Sequence, residues 1–192
     1  MTLSAGKGLK QVAAYSAVAV AVWLASEIVK GPIVDRGPAA FAMRLSPTSP
    51  EVLRRAAEAE LAAKRYSNAQ ALSAYSLERA PFNARALRVW GLAEAETGAE
   101  TQADAALTLA GNWSLRDDPA HAWLTEYRLR RGDYESSFAH ADTIARRRPD
   151  TYPQVFNLFA TAAQTDQRAI PALLVLLARN PPWRVPFFEY LQ

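Results

Sequence analysis

Residues able to do acid–base, nucleophilic or metal chemistry are scarce in this sequence. It holds two histidines, His121 and His140, and no cysteine, which removes thiol nucleophiles, disulfides and thiolate metal sites. The histidines do not stand at a metal-ligand spacing. His121 is expected as a packed or partly exposed structural residue, and His140 precedes Ala141-Asp142 on a different helix. Asp117 and Asp118 form a carboxylate pair, but they adjoin Pro119 at a helix start, where N-capping accounts for them. No glycine-rich phosphate loop follows a strand, since no strand is expected. The chemistry therefore points away from an enzyme and calls for no metal or other cofactor, which leaves binding.

The elements that would carry a binding site are helices. Half of the residues are hydrophobic, and alanine supplies much of that half. Alanine favours closely packed helices over strands, so the fold class is read as all-α. With 192 residues there is room for one domain and a short extra segment. The formal charge is +3, yet residues 1–36 hold four basic residues against two acids, which leaves the remainder at +1. A nucleic-acid-binding domain carries a marked basic excess, so nucleic acid is not an expected partner. Arg146-Arg147-Arg148 is the local exception, expected as a solvated helix end whose cations complement the dipole.

Three segments, 50–83, 84–117 and 118–151, follow one another without insertion. In register they align Ala69, Ala103 and Ser137 in one column, Ser76, Ala110 and Ile144 in a second, and Pro81, Leu115 and Pro149 in a third. A 34-residue period means helix–turn–helix repeats. First helices are expected over 51–63, 85–97 and 119–131, and second helices over 67–79, 101–111 and 135–147. A short helix is expected over 39–45, with Thr48 or Ser49 capping the array.

The middle segment has Trp90-Gly91, Gly98, Ala103 and Ala110. The third has Trp123-Leu124, Arg131-Gly132-Asp133-Tyr134 and Pro149, and the first has Leu53, Tyr66, Ala69 and Pro81. These residues resemble the tetratricopeptide repeat, or TPR, and imply a TPR-type α-solenoid of about three to four repeats. Glu60, Glu94 and Arg128 stand where the pattern places an aromatic, so a packing contact is weakened or replaced there. Residues 152–192 read as a degenerate fourth repeat: Val155, Leu158 and Ala162 keep the phase, Asp166 replaces the turn glycine, and Pro181-Pro182 stop the second helix. The aromatic segment from Trp183 to Gln192 either folds back over that helix or docks elsewhere. The resemblance implies a partner-binding groove along the first helices, at Arg54, Glu58, Arg88, Leu92, Trp123, Glu126, Arg130, Phe156 and Asn157. There the arginines would hold carboxylates, and Trp123 and Phe156 would stack on apolar groups; for Trp123 a core position is the equal alternative. The expected occupant is a peptide or helix of another protein. The paired Lys and Asn set with which some TPR proteins clamp a C-terminal carboxylate is absent.

Ahead of the array, residues 1–11 form a tail with Lys7 and Lys10. Residues 12–29 run with Glu27 as their one charge, and 30–49 form a linker marked by Gly31-Pro32 and Gly37-Pro38. Eighteen residues lie at the short end of the roughly 17–25 that span a bilayer. The expectation is an uncleaved single-pass anchor in a bacterial inner membrane, its tail cytoplasmic and its repeats periplasmic; Lys30 and Arg36 beyond the span weaken the orientation cue. Ala13, Ala17, Ala21 and Ala25 recur every four residues, a small-residue face for association with another membrane helix, in a homodimer or a larger complex. Anchor and repeats together imply a non-enzymatic envelope scaffold, similar in architecture to small repeat proteins that accompany surface-polysaccharide synthesis and export. The alternative is a periplasmic carrier or chaperone for peptide or glycan whose N-terminal signal is cleaved.

Overall fold

Three turns of the same construction divide the chain into pairs of helices. Lys64, Gly98 and Gly132, spaced 34 apart, have φ values of 59°, 88° and 72°. The amides that follow them, of Arg65, Ala99 and Asp133, donate to the carbonyls of Glu60, Glu94 and Arg128 at 2.9, 2.9 and 3.0 Å. A left-handed residue with a 6→1 bond closes a helix and reverses the chain. In the computed structural model, which describes residues 37–192, the helices are α1 (Ala39–Leu45), α2 (Pro50–Ala62), α3 (Tyr66–Arg79), α4 (Ala84–Glu96), α5 (Glu100–Trp113), α6 (Asp118–Arg130), α7 (Tyr134–Ala145), α8 (Tyr152–Thr165), α9 (Ala169–Ala178) and α10 (Arg184–Tyr190), with a 3-10 turn at Pro149–Thr151. There is no strand among the described residues, so the chain there is all-α with a helical repeat-like architecture. Residues 1–11 and the expected anchor 12–29, with Ala13, Ala17, Ala21 and Ala25, lie outside the described residues. Among the described residues no helix is long and apolar enough to cross a membrane.

Helix starts follow local chemistry. Asn83, Asp117 and Asp133 cap α4, α6 and α7 by accepting from the amides of Ala86, Ala120 and Ser136, and each such cap satisfies an orphan donor. Ser49 precedes α2 without a side-chain bond, and Pro50 takes the first helical position, where its missing amide costs nothing. The fourth pair departs from the pattern at Asp166, where the backbone is extended at φ −140°. Its carboxylate instead accepts from the Tyr134 hydroxyl at 2.8 Å and pairs with Arg168 at 2.7 Å.

Helices pack closely because the columns between them are small. Ala69, Ala103 and Ser137 are fully buried, and a Cβ placed on Gly91 would lie 2.8 Å from Leu107 Cγ. The buried hydroxyls are satisfied: Ser76 Oγ donates to the Pro50 carbonyl and Ser137 Oγ to the Thr125 carbonyl, each at 2.8 Å. Charges replace the missing aromatics at two places. Glu60 pairs with Arg65 at 2.5 Å across the first turn, and Arg128 reaches Asp104 on α5 at 2.6 Å.

One expectation changes, and one pair of alternatives is decided. α7 ends at Ala145, so Arg146-Arg147-Arg148 lie beyond it and work as clips, Arg147 to Asp118 at 2.6 Å and Arg148 to Asp118 and Asp150 at 3.4 and 2.6 Å. The C-terminal segment folds back: Trp183 and Phe187 are buried against Phe156 and Phe159, and the Trp183 indole donates to Asp142 at 2.7 Å. Aromatic packing of this kind gives the last pair a core of bulkier side chains than the alanine-lined pairs before it.

Candidate protein-binding groove

Along the first helices the expected groove residues divide into three groups. At the α2 end the charges are already spent on one another. Arg54 is 4% exposed and is held between Glu51 and Glu58, three residues before it and four after, about one turn on either side. Glu58 also accepts from Arg88 of α4, and Arg88 reaches Asp117 at 3.4 Å, the residue that caps α6. The result is a line of alternating charge, Glu51, Arg54, Glu58, Arg88, Asp117, across three first helices. The Glu51 hydrogen bond raises the pKa of Arg54 above the usual guanidinium value, and Arg54 in turn lowers that of Glu51. Arg88 so engaged is a tie between helix pairs, and Arg54 a brace within α2, rather than open clamps for a partner's carboxylate, because releasing either would strand a buried or half-buried acid.

A second group belongs to the packing. Leu92 and Trp123 are half-buried against Ala103, Leu107 and Leu124, and Trp123 stacks on Tyr127 with ring centroids 4.5 Å apart. Phe156 is 3% exposed within the aromatic core and cannot stack on a ligand. Its phase was legible, but the fold-back of Trp183 and Phe187 covers it.

The third group borders an actual opening. α2 packs on α4, and α4 more loosely on α6, but α6 and α8 part over α7. Between them lies a depression of about 300 Å³ with Ala122, Thr125 and Leu129 on one wall, Val155 and Leu158 on the other, and Ala141 and Ile144 below. Leu129 and Leu158 continue into a second depression of about 470 Å³ that ends at Tyr134, Asn157 and Thr161. Glu126 and Asn157 stand exposed at its rim. Arg130 lies close by but is paired with Glu100 at 3.4 Å. Ala122, Leu129 and Leu158 are the residues that the sequence left out. Ala122 occupies the column of Arg54 and Arg88 one period on, which was the signal available.

The structure also joins two residues that the sequence kept apart. His121 and His140 face each other across α6 and α7 with their Nδ1 atoms 3.0 Å apart. One donates and the other accepts, so the accepting ring is neutral in this arrangement, and a proton added to it would break the bond. Burial lowers the pKa of His121, and burial, then the His121 ring and Arg128, push His140 down to about 4. Among the described residues no group of three or more metal-ligating side chains converges, and the pair by itself is a buried polar contact.

No known family matches the chain, and no curated protein does. The functional reading rests on geometry.

Proposed function

We propose that the chain is a membrane-anchored TPR scaffold, with no chemistry of its own, that holds another protein at the bacterial envelope by an apolar segment laid between α6 and α8. The observation that carries this reading is the opening itself. Elsewhere the first helices close on one another through ion pairs or packing, whereas Leu129 and Leu158 wall a trough lined with apolar atoms, floored by Ala141 and Ile144 and rimmed by the exposed carboxylate of Glu126. Such a trough suits an extended or helical segment that buries two or three apolar side chains. The 34-residue period and the left-handed turn residues support the TPR assignment, and the apolar run 12–29 supports the anchor. The envelope setting, including surface-polysaccharide synthesis or export, follows from that architecture by analogy.

The test is site-directed photocrosslinking in native cells, with the crosslinker at Glu126 or Asn157 and, as control, at the exposed Thr101 on α5. A discrete adduct from the groove positions that is absent from Thr101, and lost in Ala122→Arg, is the expected result. Equal labelling from all three sites would sink the groove. Mass determination of the native N-terminus decides between anchor and carrier: an intact start at Met1 or Thr2 in the membrane fraction supports the scaffold, and a start near residue 26 supports the cleaved carrier.

A further inference from the structure

Up-and-down connectivity gives the stacked pairs two edges of different character. One edge holds the turns within pairs, segments 62–68, 96–101, 130–135 and 165–168, which carry five basic and five acidic residues. The other holds the junctions between pairs and the loop after α9, segments 78–85, 113–118, 146–151 and 179–184, with eight arginines against four carboxylates. Of those four, Asp117 is buried under Arg88. Through the first three pairs the exposed apolar loop residues are on that edge too. Phe82 is 84% exposed, Leu115 63% and Trp113 40%, whereas the turns within the first three pairs carry no exposed large apolar residue and the fourth has Ile170 beside it at 41%.

These side chains form one patch. The Phe82 and Trp113 rings lie 5.7 Å apart, although they come from different junctions. Arg147 from a third junction donates to the Leu115 carbonyl at 2.7 Å. Arg79 and Arg116 are exposed nearby in sequence on the same junctions. Nothing in the packing requires such residues at a loop tip, and in water they are costly to leave bare. The incoming chain meets the array at this end too: the loop before α2 is on this edge, and Arg55 donates to the Gly37 carbonyl in the approach to α2.

We propose that this junction edge lies on the surface of an anionic bilayer. Exposed aromatic and aliphatic tips favour the headgroup boundary, arginines complement anionic headgroups, and the opposite edge, balanced in charge and poorer in apolar tips, would face away. The patch itself needs no anchor; its orientation toward the membrane from which the chain emerges rests on the anchor of the proposed function. The array would then stand with its helices roughly along the membrane normal.

Because the chain has no cysteine, one introduced thiol can report its depth. The full chain carrying Leu115→Cys or, as control, Glu135→Cys is labelled with an environment-sensitive fluorophore and mixed with vesicles of phosphatidylcholine with or without phosphatidylglycerol, doped with brominated lipid. Several-fold stronger quenching at Leu115→Cys than at Glu135→Cys, dependent on phosphatidylglycerol, weakened by high salt and lost in Arg79→Glu/Arg116→Glu with unchanged circular dichroism, is the expected result. Flotation of the same samples separates the two proposals. Co-flotation with both lipids but no quenching at Leu115→Cys leaves the anchor standing and overturns the edge. Co-flotation with anionic vesicles alone, with quenching, upholds the edge and removes the anchor. No co-flotation overturns both, and protection of the label in native membranes but not in pure lipid assigns the edge to a protein.

Discussion

At the scale of single residues, the left-handed turn position is the clearest case of structure imposed on sequence. Gly98 and Gly132 adopt positive φ without a Cβ, whereas Lys64 holds φ 59° with one. A non-glycine residue there carries backbone strain of about 1–2 kcal/mol, part of which the greater freedom of an unfolded glycine offsets. Lys64→Gly should therefore stabilise the array by about 0.5–1 kcal/mol, seen as a rise of a few degrees in Tm; an unchanged or lower Tm would show that the turn tolerates lysine freely. The histidine pair makes a second prediction. Both imidazoles have pKa values below the unfolded value of about 6.5, so the folded state binds fewer protons, and stability present above that value is lost as pH falls from about 6.5 toward 4. Arg128, Asp104 and Asp133 also face His140, but arginine does not titrate here, and carboxylates respond below about pH 5. Urea midpoints should fall between pH 7 and 5 in the native chain and fall less in His140→Gln. Equal slopes would remove the pair as the cause. The pair was not legible because a spacing of 19 fits no local motif. It arises because an antiparallel hairpin brings together residues placed about equally far on either side of its turn at Arg131-Gly132.

At the scale of elements, most of the fold was legible, for a definite reason. The six helices of the first three pairs begin and end within two residues of their expected bounds, because small columns, caps and left-handed turns recur at a fixed interval. What the sequence could not show was how the charges pair. Glu58 with Arg88 and Arg88 with Asp117 are 30 and 29 residues apart, close to one repeat, so Arg88, assigned to a ligand, is engaged as a tie between units. Gly91 shows how tight the alanine-lined interface is. Gly91→Leu must displace Leu107, and overpacking costs about 1–3 kcal/mol, so denaturant midpoints should drop; an unchanged midpoint would mean that α4 and α5 can separate freely. The C-terminal helix matters as much at the other end. Removing residues 181–192 uncovers Phe156 and Phe159, which should lower Tm and raise binding of a hydrophobic dye, and unchanged values of both would show that α10 is only appended.

At the scale of the whole molecule, two kinds of interior meet at the groove. Pairs one to three are joined by small residues and by the line of charge from Glu51 to Asp117, whereas the fourth unit is held by the aromatic residues of α8 and α10 and the leucines of α9 packed on α7, and by the Trp183–Asp142 bond. Since α6 and α8 are parted, coupling across the groove runs chiefly through α7, with smaller links from Leu129 to the last core and through Arg148 between Asp118 and Asp150. In an array whose units touch only their neighbours, stability is approximately a sum of unit and interface contributions, and damage should spread no further than the weakest interface. Native-state hydrogen exchange resolves this, because amides report the smallest opening that exposes them. Gly91→Leu should speed exchange in α4 and α5, less in α3 and α6, and leave α9 as it was. Phe159→Ala, which opens a cavity in the last core, should do the reverse, speeding α8 and α9 while sparing α4. Uniform acceleration by either substitution would mean that the chain opens as one unit, and the trough between α6 and α8 would then be a surface feature rather than the seam at which a partner could move the two parts.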